Sequence, residues 1–460
     1  MKIKWSKERF IVANEILILL VIVFLIVIPS GRIYGRSISV YLTFFLNGSI
    51  WTTLLISTIK KHPFSFAMIH WCFCLFFFFF APLVQYYYGQ FPWIISRSDE
   101  ILFKANELLL LWTGGVLFGQ HTNKLNKKIQ IQQSKNSLHT IKSTIDLSSN
   151  IKRFLLVAVT ITMWRVMVIG IGNLMSRATS WHQLSSNSSI QLLLENIMQA
   201  AMYFSVIIVI SLNTQNKRYK LINILMVVLL LISYPPTGMA RYAAAAIYLG
   251  LILTVLPKFR RKSWFIILFM GAYMIILPFL NAFRYVSFEN VDIGKVMVHT
   301  FDNFSITWIE GDYDAYVMFT LAIEYVKKNG ITWMHQFLGA ILFWIPRSIW
   351  PEKPIGSGAF MAGKLNWTFT NLSCPLPGEA ILNLGILGII IFSIMLGRMI
   401  IMIDDLYWNG NTANTRIIDL LYPVLLIFFF FMCRGDMMSS VAYMASYFVV
   451  GYILIPKCKS

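Results

Sequence analysis

Residues able to do chemistry concentrate in two places, 282–379 and 434–436. Arg347 and Lys353 lie in Pro346-Arg-Ser-Ile-Trp-Pro-Glu-Lys-Pro-Ile-Gly-Ser-Gly358, where prolines at 346, 351 and 354 exclude a regular helix. A stiff segment of this kind can aim a guanidinium at a phosphate, and Arg347 can equally sit on a lipid headgroup. Gly358 permits close backbone approach to a ligand. Trp350 suits either a sugar face or the membrane interface. Glu379 follows Pro375-Leu-Pro-Gly at the head of an apolar run, where a carboxylate complements the helix dipole or orients an attacking hydroxyl. Asp312 and Asp314 open a helical stretch, as caps or as acceptor-binding groups. Arg284 and Arg434 add cations, Arg434 within reach of Asp436, and Arg241 is a further candidate for substrate binding. The seven histidines show no HxxxH spacing and the five cysteines no CxxC pair, so no metal site, cofactor or disulfide framework is expected.

The elements that must position these groups are membrane spans. Of 460 residues, 57% are hydrophobic and 13% charged, and the mean hydropathy is +0.66. That composition excludes a soluble enzyme, a disordered chain and a disulfide scaffold, and leaves an all-α polytopic membrane protein. Apolar runs predict twelve spans: 10–29, 38–59, 64–86, 101–119, 153–174, 191–213, 220–235, 240–257, 264–281, 380–402, 418–433 and 439–455. The first reads as an uncleaved span rather than a signal peptide.

The net charge of +19 does not indicate nucleic acid, because the cations fall between spans. With the N-terminus inside, 24 of the 39 Lys and Arg lie in inner segments and 13 in outer ones, so both termini are expected in the cytoplasm. The chain reads as one membrane domain, 1–460. Its inner loop at 120–152 is basic and suits anionic lipid. Its outer loop at 282–379 holds nine of the 20 acids, too much chemistry and length for a connector.

Within that loop, Val317, Met318, Leu321 and Tyr325 form a helical stripe over 314–328, stopped by Lys327-Lys-Asn-Gly330. Residues 334–345 are apolar yet too short to span, as in a re-entrant or interfacial helix. Glu15, Lys104, Glu107, Arg165 and Glu195 lie inside spans, and a Glu107–Arg165 pair is one way to accommodate them.

On these residues the chain resembles the Wzy-type oligosaccharide repeat-unit polymerases of bacterial surface polysaccharide pathways. The motifs that carry the resemblance are Gly311-Asp-Tyr-Asp314, Tyr325 through Gly330, Ile345-Pro-Arg through Gly358, Pro375-Leu-Pro-Gly-Glu379 with Asn383 and Gly385, and Arg434-Gly-Asp436. Ala81-Pro-Leu-Val-Gln-Tyr with Phe91-Pro-Trp93 resembles a further block. The resemblance implies a lipid-linked glycosyltransferase of the C class in the bacterial cytoplasmic membrane. Such an enzyme joins polyprenyl-diphosphate-linked repeat units on the outer face by inversion, without a metal. It also implies membrane lipid and a chain-length regulator as partners. Arg347 and Gly358 match an Arg-x10-Gly spacing described for some members, whereas Arg284 is one residue short of it at Gly294. Arg347, Glu379 and Arg284 are then the catalytic candidates. Arg434, Lys353, Asp312, Asp314, Gly358, Trp350 and Arg241 are the substrate-binding ones. An O-antigen ligase and a lipid-linked oligosaccharide flippase remain as alternatives.

Overall fold

A computed structural model describes residues 36–130, 147–175, 189–213, 220–256, 258–261, 308–309, 311–409 and 417–454, with Phe265, Ile266, Phe269 and Gly294. Every regular element among the described residues is helical, and the β contact they show is an isolated bridge between Phe91 and Ile95. In chain order the principal helices are α1 (Ile38–Lys61), α2 (Phe66–Tyr88), α3 (Asp99–Gln130), α4 (Leu147–Ile169), α5 (Ser189–Asn213), α6 (Lys220–Ser233) and α7 (Arg241–Val255). There follow α8 (Ala315–Asn329), α9 (His335–Ile341), α10 (Ser357–Lys364), α11 (Leu376–Trp408), α12 (Ile417–Arg434) and α13 (Met437–Leu454).

Seven helical stretches among the described residues are long and apolar enough to cross a membrane. They are Ile38–Lys61, Phe66–Tyr88, Asp99–Thr122, Leu193–Ser211, Lys220–Gly238, Leu376–Trp408 and Met437–Leu454. The protein is therefore a helical membrane protein. The expected span 153–174 corresponds to α4, which carries Lys152, Arg153 and Arg165. That at 240–257 is the 15-residue α7, and that at 418–433 is the 18-residue α12. The expected spans 10–29 and 264–281 lie outside the described residues, apart from Phe265, Ile266 and Phe269.

The chain divides into two compact units. The first contains residues 1–135, 302–408 and 429–441. In it α3 runs closely along α11 because both helices place glycine at the crossing. A Cβ at Gly119 would lie 2.2 Å from the Ile394 carbonyl oxygen, and one at Gly397 2.1 Å from that of Val116. Polar side chains fasten the neighbouring helices. Asn47 donates to the Asn106 carbonyl at 3.0 Å, Trp51 Nε1 to Thr113 Oγ1 at 2.9 Å, and Tyr316 Oη to Asn106 Oδ1 at 2.9 Å. Asp404 of α11 caps α2, accepting from the Phe66 and Ala67 N–H groups at 2.8 and 3.1 Å. Inside α2, Phe76–Phe80 forms a π-turn that packs Phe77 against Tyr313 with ring centroids 5.6 Å apart.

Two features of this unit differ from expectation. The longest helix among the described residues, α11, begins at Leu376, not 380, and it breaks at Gly385, which adopts φ 64° and ψ −142°. Only glycine takes that conformation readily. The carbonyls freed by the break are met by the preceding turn, where Thr332 N–H donates to Leu382 at 2.8 Å and Met334 N–H to Asn383 at 3.3 Å. That turn is itself tight, with Trp333 and Met334 both at positive φ. The expected apolar helix at 334–345 forms only over α9, seven residues, and continues in turns.

The second unit contains residues 136–301, 409–428 and 442–460. Here Arg165 of α4 pairs with Glu195 of α5, donates from Nε to the Ser233 carbonyl at 2.6 Å, and lies 4.1 Å from the centre of the Tyr234 ring. The expected Glu107–Arg165 pair is therefore absent, and Glu107 pairs with Lys104 one helical turn away at 3.0 Å. Burial of a guanidinium in an apolar bundle demands a partner, and Glu195 is on the adjacent helix.

Candidate functional site

The site lies in the first unit and is assembled from segments far apart in the chain. Gly311–Tyr313 forms a 3₁₀ turn leading into α8. Gln85 of α2 holds it, its Nε2 donating to the Trp308 and Tyr313 carbonyls at 2.8 and 3.1 Å. Asp314 occupies the N-cap position of α8, yet its side chain makes no cap bond. Its carboxylate, 1% exposed, instead accepts from Arg434 Nη2 at 3.2 Å and from Ser373 N–H at 3.3 Å. The capping role expected from position is displaced because a buried carboxylate gains more from a guanidinium than from an amide. Burial raises Asp314 above the usual carboxylate range, opposed first by Arg434.

Arg434 does not pair with Asp436, as adjacency had allowed. Besides Asp314, it donates to the Asp312 carbonyl from Nε at 2.9 Å and to the Gly311 carbonyl from Nη2 at 3.1 Å. Asp436 caps α13, accepting from Ser439 N–H at 2.9 Å. It also packs so closely on Gly356 that a Cβ there would meet its Oδ2 at 2.7 Å. Burial raises Asp436 too, opposed by Ser439 and the Met438 N–H.

Glu379 stands in the first turn of α11 and is 1% exposed. Its Oε2 accepts from Ser357 Oγ at 2.7 Å and its Oε1 from Met437 N–H at 3.0 Å. A carboxylate offers about four acceptor sites, so two remain for a further hydroxyl. Asn383, one turn on, donates to the Glu379 carbonyl at 2.8 Å and accepts from Phe337 N–H at 3.0 Å, which ties α9 to the broken helix. The Cys374 thiol is pushed up by burial and then by the charges of Glu379, Asp436 and Asp314. Among the described residues no three His, Cys, Asp or Glu side chains converge in a way that could hold a metal.

No family model, curated protein or solved structure matches the chain.

The remaining sequence candidates fall as follows. Arg347 is exposed and donates to the Lys353 carbonyl at 2.6 Å and the Pro354 carbonyl at 3.2 Å, which leaves part of its fork toward solvent. Lys353 is buried, and its ammonium is spent on the carbonyls of Phe343 and of Ile345, the latter at 3.0 Å. Burial and then Arg347 lower its pKa. Lys353 thus holds the proline segment in shape. Gly358 is needed for the chain itself, since a Cβ would lie 2.0 Å from the Leu372 carbonyl oxygen. Trp350 meets His335 edge-on at 6.0 Å. Arg241 opens α7 in the other unit, and Arg284 lies outside the described residues.

The site also uses Ser357, Ser373 and Asn383, whose roles no spacing announces. Ser357 and Glu379 are 22 residues apart, Asp314 and Arg434 120.

Proposed function

We propose that the chain is an inverting glycosyltransferase that polymerises polyprenyl-diphosphate-linked oligosaccharide repeats at the outer face of the bacterial cytoplasmic membrane. The observation that carries this reading is the convergence around Glu379. The segments at 311–314, 356–358, 373–379 and 434–437, noted for their chemistry and for the resemblance, meet through Asp314–Arg434, Ser357–Glu379 and Glu379–Met437 contacts. In this reading twelve spans leave both termini in the cytoplasm and 282–379 outside.

The chemistry needs few groups. A hydroxyl oxygen of one lipid-linked glycan attacks the anomeric carbon of another. The bond from that carbon to the diphosphate oxygen breaks, and its electron pair leaves with the polyprenyl diphosphate. Glu379, buried and with acceptor sites to spare, orients the hydroxyl and takes its proton. Arg347, exposed beside a proline-stiffened turn, stabilises the departing diphosphate through its planar fork. Arg434 and Lys353 act as positioning residues, because their donors are committed to protein carbonyls and to Asp314. The partners are the lipid-linked glycan, membrane lipid and a chain-length regulator.

Deletion followed by electrophoresis of surface glycans tests the reading. A polymerase mutant keeps single repeats. Loss of all repeats would instead indicate a flippase, and accumulation of lipid-linked polymer a ligase.

A further inference from the structure

A second feature adjoins the charged cluster and is not used by it. The chain from Phe91 to Ile95 makes a tight turn closed by a β-bridge between those two residues. Trp93 stands at its tip at φ 64°, a left-handed conformation that is strained for an aromatic residue. The rings of Phe369 and Trp367 lie 5.2 and 6.4 Å from it. Trp367 is placed there by the end of α10. Asn366 takes the left-handed conformation at φ 56°, and Trp367 N–H closes back on the Ala362 carbonyl at 2.9 Å. Trp93 and Trp367 are half-buried, and Phe369 is 37% exposed. The indole N–H of Trp93 has no partner among the described residues.

Gly311 joins this cluster to the site. A Cβ at 311 would lie 2.6 Å from the Trp93 ring, so the indole rests directly on that backbone. The carbonyl of the same residue accepts from Arg434. One residue therefore separates the rings from the charged groups. An interfacial aromatic belt gives no reason for three rings to gather on one another, nor for strain at Trp93.

We propose that Trp93, Trp367 and Phe369 form a stacking platform for a pyranose ring of the glycan, beside the charged cluster. The identity of the ligand rests on the glycan-polymerising reading. A pyranose presents a face of weakly positive C–H groups, which suits the negative face of an aromatic ring, and its hydroxyls need polar neighbours at the edge. Thr368, Thr370 and Asn371 are exposed in the same stretch of chain and supply such neighbours.

The test uses the full chain in lipid nanodiscs. The probe is the water-soluble repeat-unit oligosaccharide released by mild acid from the surface polysaccharide of the strain that carries the protein. Binding is read by tryptophan fluorescence titration and by saturation-transfer NMR, with thermal shift as the folding check. Phe369→Leu should weaken binding about fivefold and Trp367→Leu about tenfold. Trp367→Phe, which keeps a ring, should recover most of the loss, and Trp344→Leu, at an exposed ring in the turns after α9, should leave binding unchanged. With lipid-linked repeats, Trp367→Leu should raise KM and leave kcat within about twofold. Wild-type affinity in both leucine variants would overturn the platform, as would no binding by the wild type. Variants that lose binding in a protein that makes no polymer would keep the platform and overturn the polymerase reading. Polymer made by both variants at the wild-type rate and KM would do the reverse.

Discussion

Replacing Glu379 by Gln isolates its charge from its shape. In the native site one carboxylate oxygen accepts from an amide N–H and the other from a hydroxyl. Gln can keep its carbonyl oxygen on Met437 N–H and turn its amide toward Ser357, whose hydroxyl rotates to accept. No buried group is then left without a partner, so the folding cost should stay below about 1 kcal/mol. Glu379→Ala differs. It strands the Met437 N–H and the Ser357 hydroxyl and opens a cavity, for about 2–4 kcal/mol in all. Activity should separate from stability. Loss of a positioned base costs roughly 10²–10⁴ in rate. The assay is polymerisation of lipid-linked repeats by purified protein, with thermal unfolding measured on the same samples. Glu379→Gln should melt within a few degrees of the wild type and turn over at most about 1% as fast. A Glu379→Gln protein within about threefold of the wild-type rate would refute the role assigned to this carboxylate.

Four further outcomes are expected. Arg347→Lys should cut turnover by roughly 10²–10³ at normal thermal stability, because an ammonium lacks the planar fork, and near-normal rates would favour a lipid-anchoring arginine. Gly385→Ala should lower thermal stability by about 1–2 kcal/mol, since alanine resists φ 64°, and an unchanged melting temperature would count against the break in α11. Asp404→Ala should cost about 1–2 kcal/mol by taking the acceptor from the Phe66 and Ala67 N–H groups at the head of α2, with Asp404→Asn recovering part, as read by melting in detergent. Asp314 and Asp436 hold protons more tightly folded than unfolded, so stability should fall as pH rises from the ordinary aspartate range through their raised pKa values. Asp436→Asn should flatten that melting profile, and a profile rising over the same interval would contradict the burial of these acids.

Much of the architecture was legible in the chain because hydropathy and helix signals are local. The stripe at 317, 318, 321 and 325 with Lys327-Lys-Asn-Gly330 marked α8 within a residue at each end. The apolar runs marked α1, α2 and α13 nearly as well, whereas α3 continues to Gln130, past its apolar run at 101–119 and into the expected inner loop. Partners were less legible, because periodicity says which face is apolar and not what lies opposite. Asp314 read as a cap or an acceptor-binding group and is bound to Arg434, a contact across 120 positions. Arg165 found Glu195 on an adjacent helix rather than Glu107. Lys353 read as a substrate ligand and is buried, with its ammonium on the backbone carbonyls of Phe343 and Ile345, contacts that residue type does not announce. Gly385 was noticed for its type, but the break it makes in α11 depends on the Thr332–Met334 turn that satisfies the exposed carbonyls. Trp93 was noted only within Phe91-Pro-Trp93, and its ring contacts were not legible, because Trp367 and Phe369 lie more than 270 residues away.

The most direct measurement reconstitutes the purified chain in lipid vesicles with polyprenyl-diphosphate-linked single repeats and follows the products by electrophoresis and by released lipid diphosphate. The expected result is a ladder of lengthening glycans, with one polyprenyl diphosphate freed for each bond formed, and no ladder from Glu379→Gln. Lipid-linked repeats that remain single, whether left in place or moved across the bilayer, would contradict it.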